Sequence, residues 1–162
     1  MNPRNNKAEW FRYANMYSRA AGFLMEKTPP VHNTVCYLSF LSAECSMKGF
    51  LLQNHLRPVP DTHDLRELCQ LCASFQAGYL ELEDDCDFLT QFATPSGFPS
   101  FERATQEDAE QALGTLQGIL VLQRPQNPVK NRGRNRASSR NHRQRGRDAK
   151  STPHSPIATR NR

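Results

Sequence analysis

The sequence predicts an all-α fold, an up-and-down four-helix bundle with one additional short helix, followed by a disordered basic tail. Apolar residues recur at steps of three and four up to Gln123, the spacing of one face of a helix. Pro and Gly punctuate that pattern at short intervals, and no segment alternates apolar with polar residues as a half-buried strand would. Charge then divides the chain. Residues 1–123 carry 9 basic and 15 acidic side chains, whereas residues 124–162 carry 12 basic and 1 acidic. After Arg124 the large apolar residues are Val129 and Ile157 alone, too few to offset the entropy of ordering a segment of that length. The expected domains are a bundle over 1–124 and a tail over 125–162.

The first helix is expected from Ala8 to about Lys27, with Phe11, Ala14, Tyr17 or Ser18, Ala21 and Leu24 on one face. Pro29 and Pro30 end it and open the next. That second helix, Val31 to about Leu56, is the most apolar in the chain and reads as the central one, until Pro58 and Pro60 break it. Asp61 or Thr62 is the expected N-cap of a third helix carrying Leu65, Leu68, Cys69, Cys72 and Phe75, closed by Gly78. A fourth, Tyr79–Phe92, begins with the acids Glu81, Glu83, Asp84, Asp85 and Asp87, which suit the positive end of a helix dipole. The stretch 94–100 is too rich in Pro and Gly to be regular. Thr105 and Asp108 then form a capping box opening the last helix, which carries Ala109, Ala112, Leu113, Leu116 and Leu120.

Several function classes are removed at this stage. A core of this length is too short for most two-domain enzymes. No run of 18 or more uncharged apolar residues exists, and the N-terminus lacks the apolar run of a secretory signal, so a cytoplasmic protein with no membrane span is expected. Five cysteines, Cys36, Cys45, Cys69, Cys72 and Cys86, fall inside apolar helical patterns and read as buried free thiols. Cys69 and Cys72 have no second pair to complete a tetrahedral site, so neither metal nor cofactor is expected.

Two places can carry chemistry. Glu44 and Lys48 are the charged residues between Val35 and Leu56, one turn apart on one helix face. Their simpler reading is an intrahelical ion pair; their functional reading is a cleft lining in which Lys48 holds a phosphate and Glu44 orients it. His63 and Asp64, at the start of the third helix, either cap it or supply an acid, a base or a phosphate contact. Trp10, Tyr13 and Tyr17 read as packing aromatics that could also stack on a base.

Three stretches together, Cys36–Leu52 with Ala43-Glu44 and Lys48, then Thr62-His63-Asp64-Leu65, then Phe92–Pro99, resemble the signature of the HEPN domain family over about residues 7–122. The resemblance implies a helical domain associated with nucleotides and RNA, often a homodimer. It also implies a nucleotidyltransferase partner, in a toxin and antitoxin pair or a stress system. Glu44, Lys48, His63 and Asp64 are then the expected nucleotide-binding residues, gathered around one surface. One departure stands out: the family's Arg-Tyr-Pro is Gly97-Phe98-Pro99 here, so the arginine and the tyrosine hydroxyl are missing.

Ribonuclease members of the family carry an Arg followed four to six residues later by a His. Arg57 and His63 have that spacing, which makes a metal-independent endoribonuclease the alternative function, with Lys48 stabilising charge. A purely structural docking adaptor is the third reading. In the tail, Arg132, Arg134, Arg136, Arg140, Arg143, Arg145 and Arg147 alternate with small polar residues, as in disordered segments that bind nucleic-acid phosphates. With no aromatic after Pro125, a solvated extension is an equal reading.

Overall fold

The computed structural model describes residues 6–29, 31–93 and 103–124. The stretch around Gly97 and the Arg-rich tail, with Arg132 through Arg147, lie outside the described residues. All the helices belong to one unit, Met1–Gln126. They are α1 (Lys7–Met25), α2 (His32–Gln53), α3 (Leu65–Ala73), α4 (Glu83–Thr90) and α5 (Gln106–Leu122), with a 3-10 segment, Ala77–Leu82, between α3 and α4.

The fold is all-helical, and the described residues contain no strand. The division of length differs from expectation: α1, α2 and α5 have 19, 22 and 17 residues, while α3 and α4 have only 9 and 8. The cause lies at Ser74–Gln76. The Ser74 hydroxyl donates to the Leu71 carbonyl at 2.6 Å, and Gln76 turns to extended backbone at φ −149°, so α3 stops before Gly78. Gly78 lies instead within the 3-10 segment, and the acids Glu83, Asp84 and Asp85 occupy the first turn of α4.

Helix α2 is the centre. Fifteen of its residues are buried, from Val35 to Leu52, which is what a helix apolar on all sides requires. It is long and apolar enough to cross a membrane, yet 78% of its most apolar window is covered by the rest of the bundle. Helix α1 packs against it antiparallel, with Ala14 beside Ser42, Phe11 beside Gly49 and Trp10 beside Lys48. The Ser42 hydroxyl donates to the Ala14 carbonyl at 2.7 Å. The absence of a Cβ at Gly49 admits the Phe11 ring, which would stand 3.0 Å from one. Helix α5 runs parallel to α2, since Asn33 meets Ala104 at one end and Ser46 meets Gln123 at the other.

Local signals fix the ends of these helices. Thr105 and Asp108 form the expected capping box, each side chain accepting the other's backbone N–H. Helix α2 closes with His55 in the left-handed region, at φ 66°. The His55 N–H reaches the Leu52 carbonyl and the Leu56 N–H the Leu51 carbonyl, the paired bonds of a Schellman ending that usually carries glycine.

The core gathers Phe40, Met47, Leu51, Leu65, Leu68, Tyr79, Leu89, Leu116 and Ile119, all nearly inaccessible to solvent. All five cysteines are buried and free. Cys69 and Cys72 belong to this core: the Cys69 thiol donates to the Tyr79 carbonyl at 2.9 Å.

Candidate functional site

The residues singled out in the sequence fall into two groups. Glu44, Lys48 and His63 meet. Lys48 Nζ donates to Glu44 Oε1 at 2.7 Å, and His63 Nδ1 lies 3.0 Å from the same oxygen. The Lys48 and His63 nitrogens are thus separated by one carboxylate oxygen, well inside a helix diameter of about 10 Å.

The three side chains differ sharply in exposure. Those of Glu44 and Lys48 are 8% and 4% exposed, whereas that of His63 is 73% exposed. A buried ion pair is held only when its attraction and hydrogen bonds offset the loss of hydration. Here the pair is one turn apart in the favourable Glu-before-Lys order, and the Trp10 ring lies 5.6 Å from the ammonium. The Lys48 ammonium is therefore spent on Glu44 and is not presented to solvent.

A carboxylate that faces an ammonium is a hydrogen-bond acceptor, so the imidazole nitrogen turned toward it carries the proton. His63 consequently donates through Nδ1, and its Nε2 points away from the carboxylate. The buried pair acts as a fixed support for an exposed imidazole. Neutral, that imidazole offers an acceptor at Nε2; protonated, it offers a donor and the positive charge that the Glu44–Lys48 pair has cancelled between its own members.

Asp64 and Arg57 stand apart from this group. The N-cap of α3 is Asp64, not Asp61 or Thr62: its Oδ1 accepts from Arg66 N at 2.8 Å and Glu67 N at 3.3 Å. Thr62 instead accepts from the Asp64 N–H at 3.1 Å, fixing the turn that brings His63 back to α2. The Asp64 carboxylate thus serves its own helix. Arg57 is exposed on the connection between α2 and α3, and no ion pair among the described residues involves it.

Sequence reasoning did not join Trp10 to Lys48; the only hint was that both lie in helices with complementary small residues, Ala14 and Gly49. A groove of about 330 Å³ on the other side of α1, between Phe11, Asn15, Ser46, Gln53, Leu120 and Gln123, also went unnoticed. It holds none of the expected site residues. Its Gln123 is engaged at both ends of the amide, with the Ser46 hydroxyl and with the Tyr79 hydroxyl, to which it donates at 2.8 Å.

A small helical domain with an oriented, solvent-facing histidine over a buried Glu–Lys pair is the class that fold and site define. The HEPN domain family matches the chain over residues 8–124, and the chain belongs to that family, one generally associated with nucleotides and RNA. No curated protein and no solved structure matches it.

Proposed function

We propose that this HEPN domain binds a nucleotide or RNA through His63, with Glu44 and Lys48 as the positioning pair behind it. The observation that carries the reading is the shared Glu44 oxygen: it holds an exposed imidazole in one tautomer from a support that is almost entirely buried. A solvated surface histidine has no need of such a support. The bundle segment, with 9 basic against 15 acidic side chains, repels a polyanion overall, so binding must rest on a local contact. The Arg-rich segment after Arg124 then adds affinity that falls as salt rises.

The test is a thermal-shift series on the full chain with nucleoside mono-, di- and triphosphates, paired with fluorescence anisotropy on labelled single-stranded RNA at low and high salt. A ligand present at 100 times its Kd stabilises the native state by about 2.7 kcal/mol, a readily visible shift. Binding that is lost in His63→Ala supports the reading. Binding unchanged in His63→Ala sinks it and leaves the domain a docking adaptor.

A second reading, metal-independent RNA cleavage, is favoured by the same orientation, since an outward Nε2 held by a carboxylate behind Nδ1 is what proton transfer from a ribose hydroxyl requires. Arg57, exposed on the same connection but apart from the His63 group, is the cation such a reaction would call on for the phosphate. RNA hydrolysis abolished in both Arg57→Ala and His63→Ala separates it from simple binding.

A further inference from the structure

The first N–H groups of a helix have no partner inside it, and at α3 two of them are met locally. Asp64 takes the N–H groups of Arg66 and Glu67, which leaves that of Leu65, a residue fully buried in the core. Its partner comes from another helix. Thr90, the last residue of α4, accepts the Leu65 N–H through Oγ1 at 3.0 Å. The same hydroxyl donates to the Cys86 carbonyl, one turn back, at 2.8 Å. With its single proton used inside α4, the oxygen meets Leu65 as an acceptor whose direction is fixed by the helix that carries it.

We infer that Thr90 is a positioning residue for His63: its hydroxyl sets the start of α3 where the imidazole reaches Glu44. The inference rests on the reading of His63 as the group that meets the ligand, but whether Thr90 sets the ring can be measured with no ligand present. The segment that delivers His63, from Arg57 to Asp64, is exposed or half-buried throughout, and Leu65 is the first buried residue after it. Leu65 is therefore the anchor. His63 lies two residues before it, a span of no more than about 7 Å, and Thr62 closes the turn between them by accepting the Asp64 N–H at 3.1 Å. So short and braced a connection passes a shift of Leu65 on to the ring. The tolerance is small: His63 Nδ1 lies 3.0 Å from Glu44, and a further shift of about 0.5 Å takes it out of hydrogen-bond range.

The ion pairs between the same two helices cannot replace this tie. Arg66 reaches Glu83 at 3.6 Å and Asp87 at 3.7 Å, but its side chain is 41% exposed, so both pairs are screened and loose in geometry. A hydroxyl placed on a buried backbone N–H fixes position in a way that two long side chains in solvent do not.

The test is the His63 tautomer, read by long-range nitrogen–proton NMR of the full chain at pH 8 without ligand. Thr90→Val keeps the branched shape and removes the hydroxyl; it is expected to stay helical by circular dichroism and to lose the Nδ1–H signature. Thr90→Ser, which keeps the hydroxyl, should retain it. Ile119→Val removes a methyl group from the buried face of α5, so it lowers stability without touching α3 and should leave His63 as in the wild type. An unchanged tautomer in Thr90→Val overturns the proposal, as does loss of the signature in Thr90→Ser or in Ile119→Val. The wild type supplies a second check. Its Leu65 amide should exchange slowly for the first position of a helix, and exchange at the rate of an unprotected amide overturns the proposal without any variant. A tautomer that follows Thr90 in a protein binding neither nucleotide nor RNA supports the positioning role and removes the proposed ligand instead.

Discussion

Lys48→Ala tests the buried pair most severely, because it strands Glu44, whose side chain is 8% exposed. Removing one member of a buried ion pair costs about 3–5 kcal/mol, since the remaining charge is neither hydrated nor paired. At pH 7 a proton sets the ceiling. A carboxyl with the ordinary Glu value near 4.3 is neutralised at pH 7 for about 3.7 kcal/mol, so a stranded Glu44 would take up a proton before it cost more. His63 relieves part of this through its hydrogen bond at 3.0 Å, but a side chain that is 73% exposed gives screened relief. The expected loss is about 3 kcal/mol, or roughly a 12 °C fall in Tm for a domain of this size.

The sign with pH follows. The variant's folded state holds a proton that its unfolded state releases above the ordinary Glu range, so its deficit grows as pH rises and shrinks as pH falls. At pH 5 the ceiling drops to about 1 kcal/mol. Urea unfolding followed by circular dichroism at the two pH values is the assay. The double variant Glu44→Leu with Lys48→Met should recover most of the loss, because an apolar pair of similar size needs no hydration. A Lys48→Ala protein within about 1 kcal/mol of wild type at pH 7, or a deficit indifferent to pH, would mean that Glu44 does not depend on Lys48 for its burial.

Other substitutions probe the scaffold. His55→Gly should stabilise by about 1 kcal/mol in urea unfolding, because the left-handed φ of 66° penalises any side chain and His55 is exposed. Gly49→Ala should destabilise by about 1–2 kcal/mol despite the better helix propensity of Ala, since the new Cβ lies 3.0 Å from the Phe11 ring; a gain in Tm would show that the ring yields freely. Burial pushes the Cys36 thiol up to about 11 and Cys45 up to about 12, and raises Cys72 as well. A thiol raised on folding lends stability below its unfolded value, near 8.5, and loses it as pH climbs, so Tm should fall between pH 8.5 and 11. Under native conditions near neutrality these thiols should resist iodoacetamide, which mass spectrometry would report.

The parts of this fold legible in the sequence were those encoded by neighbours in the chain. The capping box of Thr105 and Asp108 spans four residues, and the all-round burial of α2 follows from its near-continuous apolar run. Lengths were misjudged where two local signals compete. Leu65–Phe75 has a helical pattern that extends toward Gly78, but the Ser74 hydroxyl closes the last turn sooner. Thr62 and Asp64 both have capping side chains; the one whose oxygen reaches the free N–H groups of Arg66 and Glu67 takes the role.

The site was half legible for the same reason. Spacing alone aligns Glu44 with Lys48, since four residues make about one turn. The contact between His63 and Glu44 joins residues 19 apart, across the break at Pro58 and Pro60, and depends on how α3 is set against α2. No periodicity carries that information. Nor does it say that the Lys48 ammonium turns inward, which follows from the Trp10 ring and α1 lying over it.

Glu44 holds His63 with its proton on Nδ1 and leaves Nε2 turned away from the carboxylate, toward a ligand. Long-range nitrogen–proton NMR of the histidine side chains in the full chain, at pH 8 with and without a nucleoside monophosphate or short RNA, measures this directly. The expected result is a His63 Nδ1–H tautomer in the free protein, lost in Glu44→Gln, and a ligand-induced shift at Nε2. An Nε2–H tautomer, or a His63 ring that is indifferent both to Glu44 and to every ligand, would contradict it.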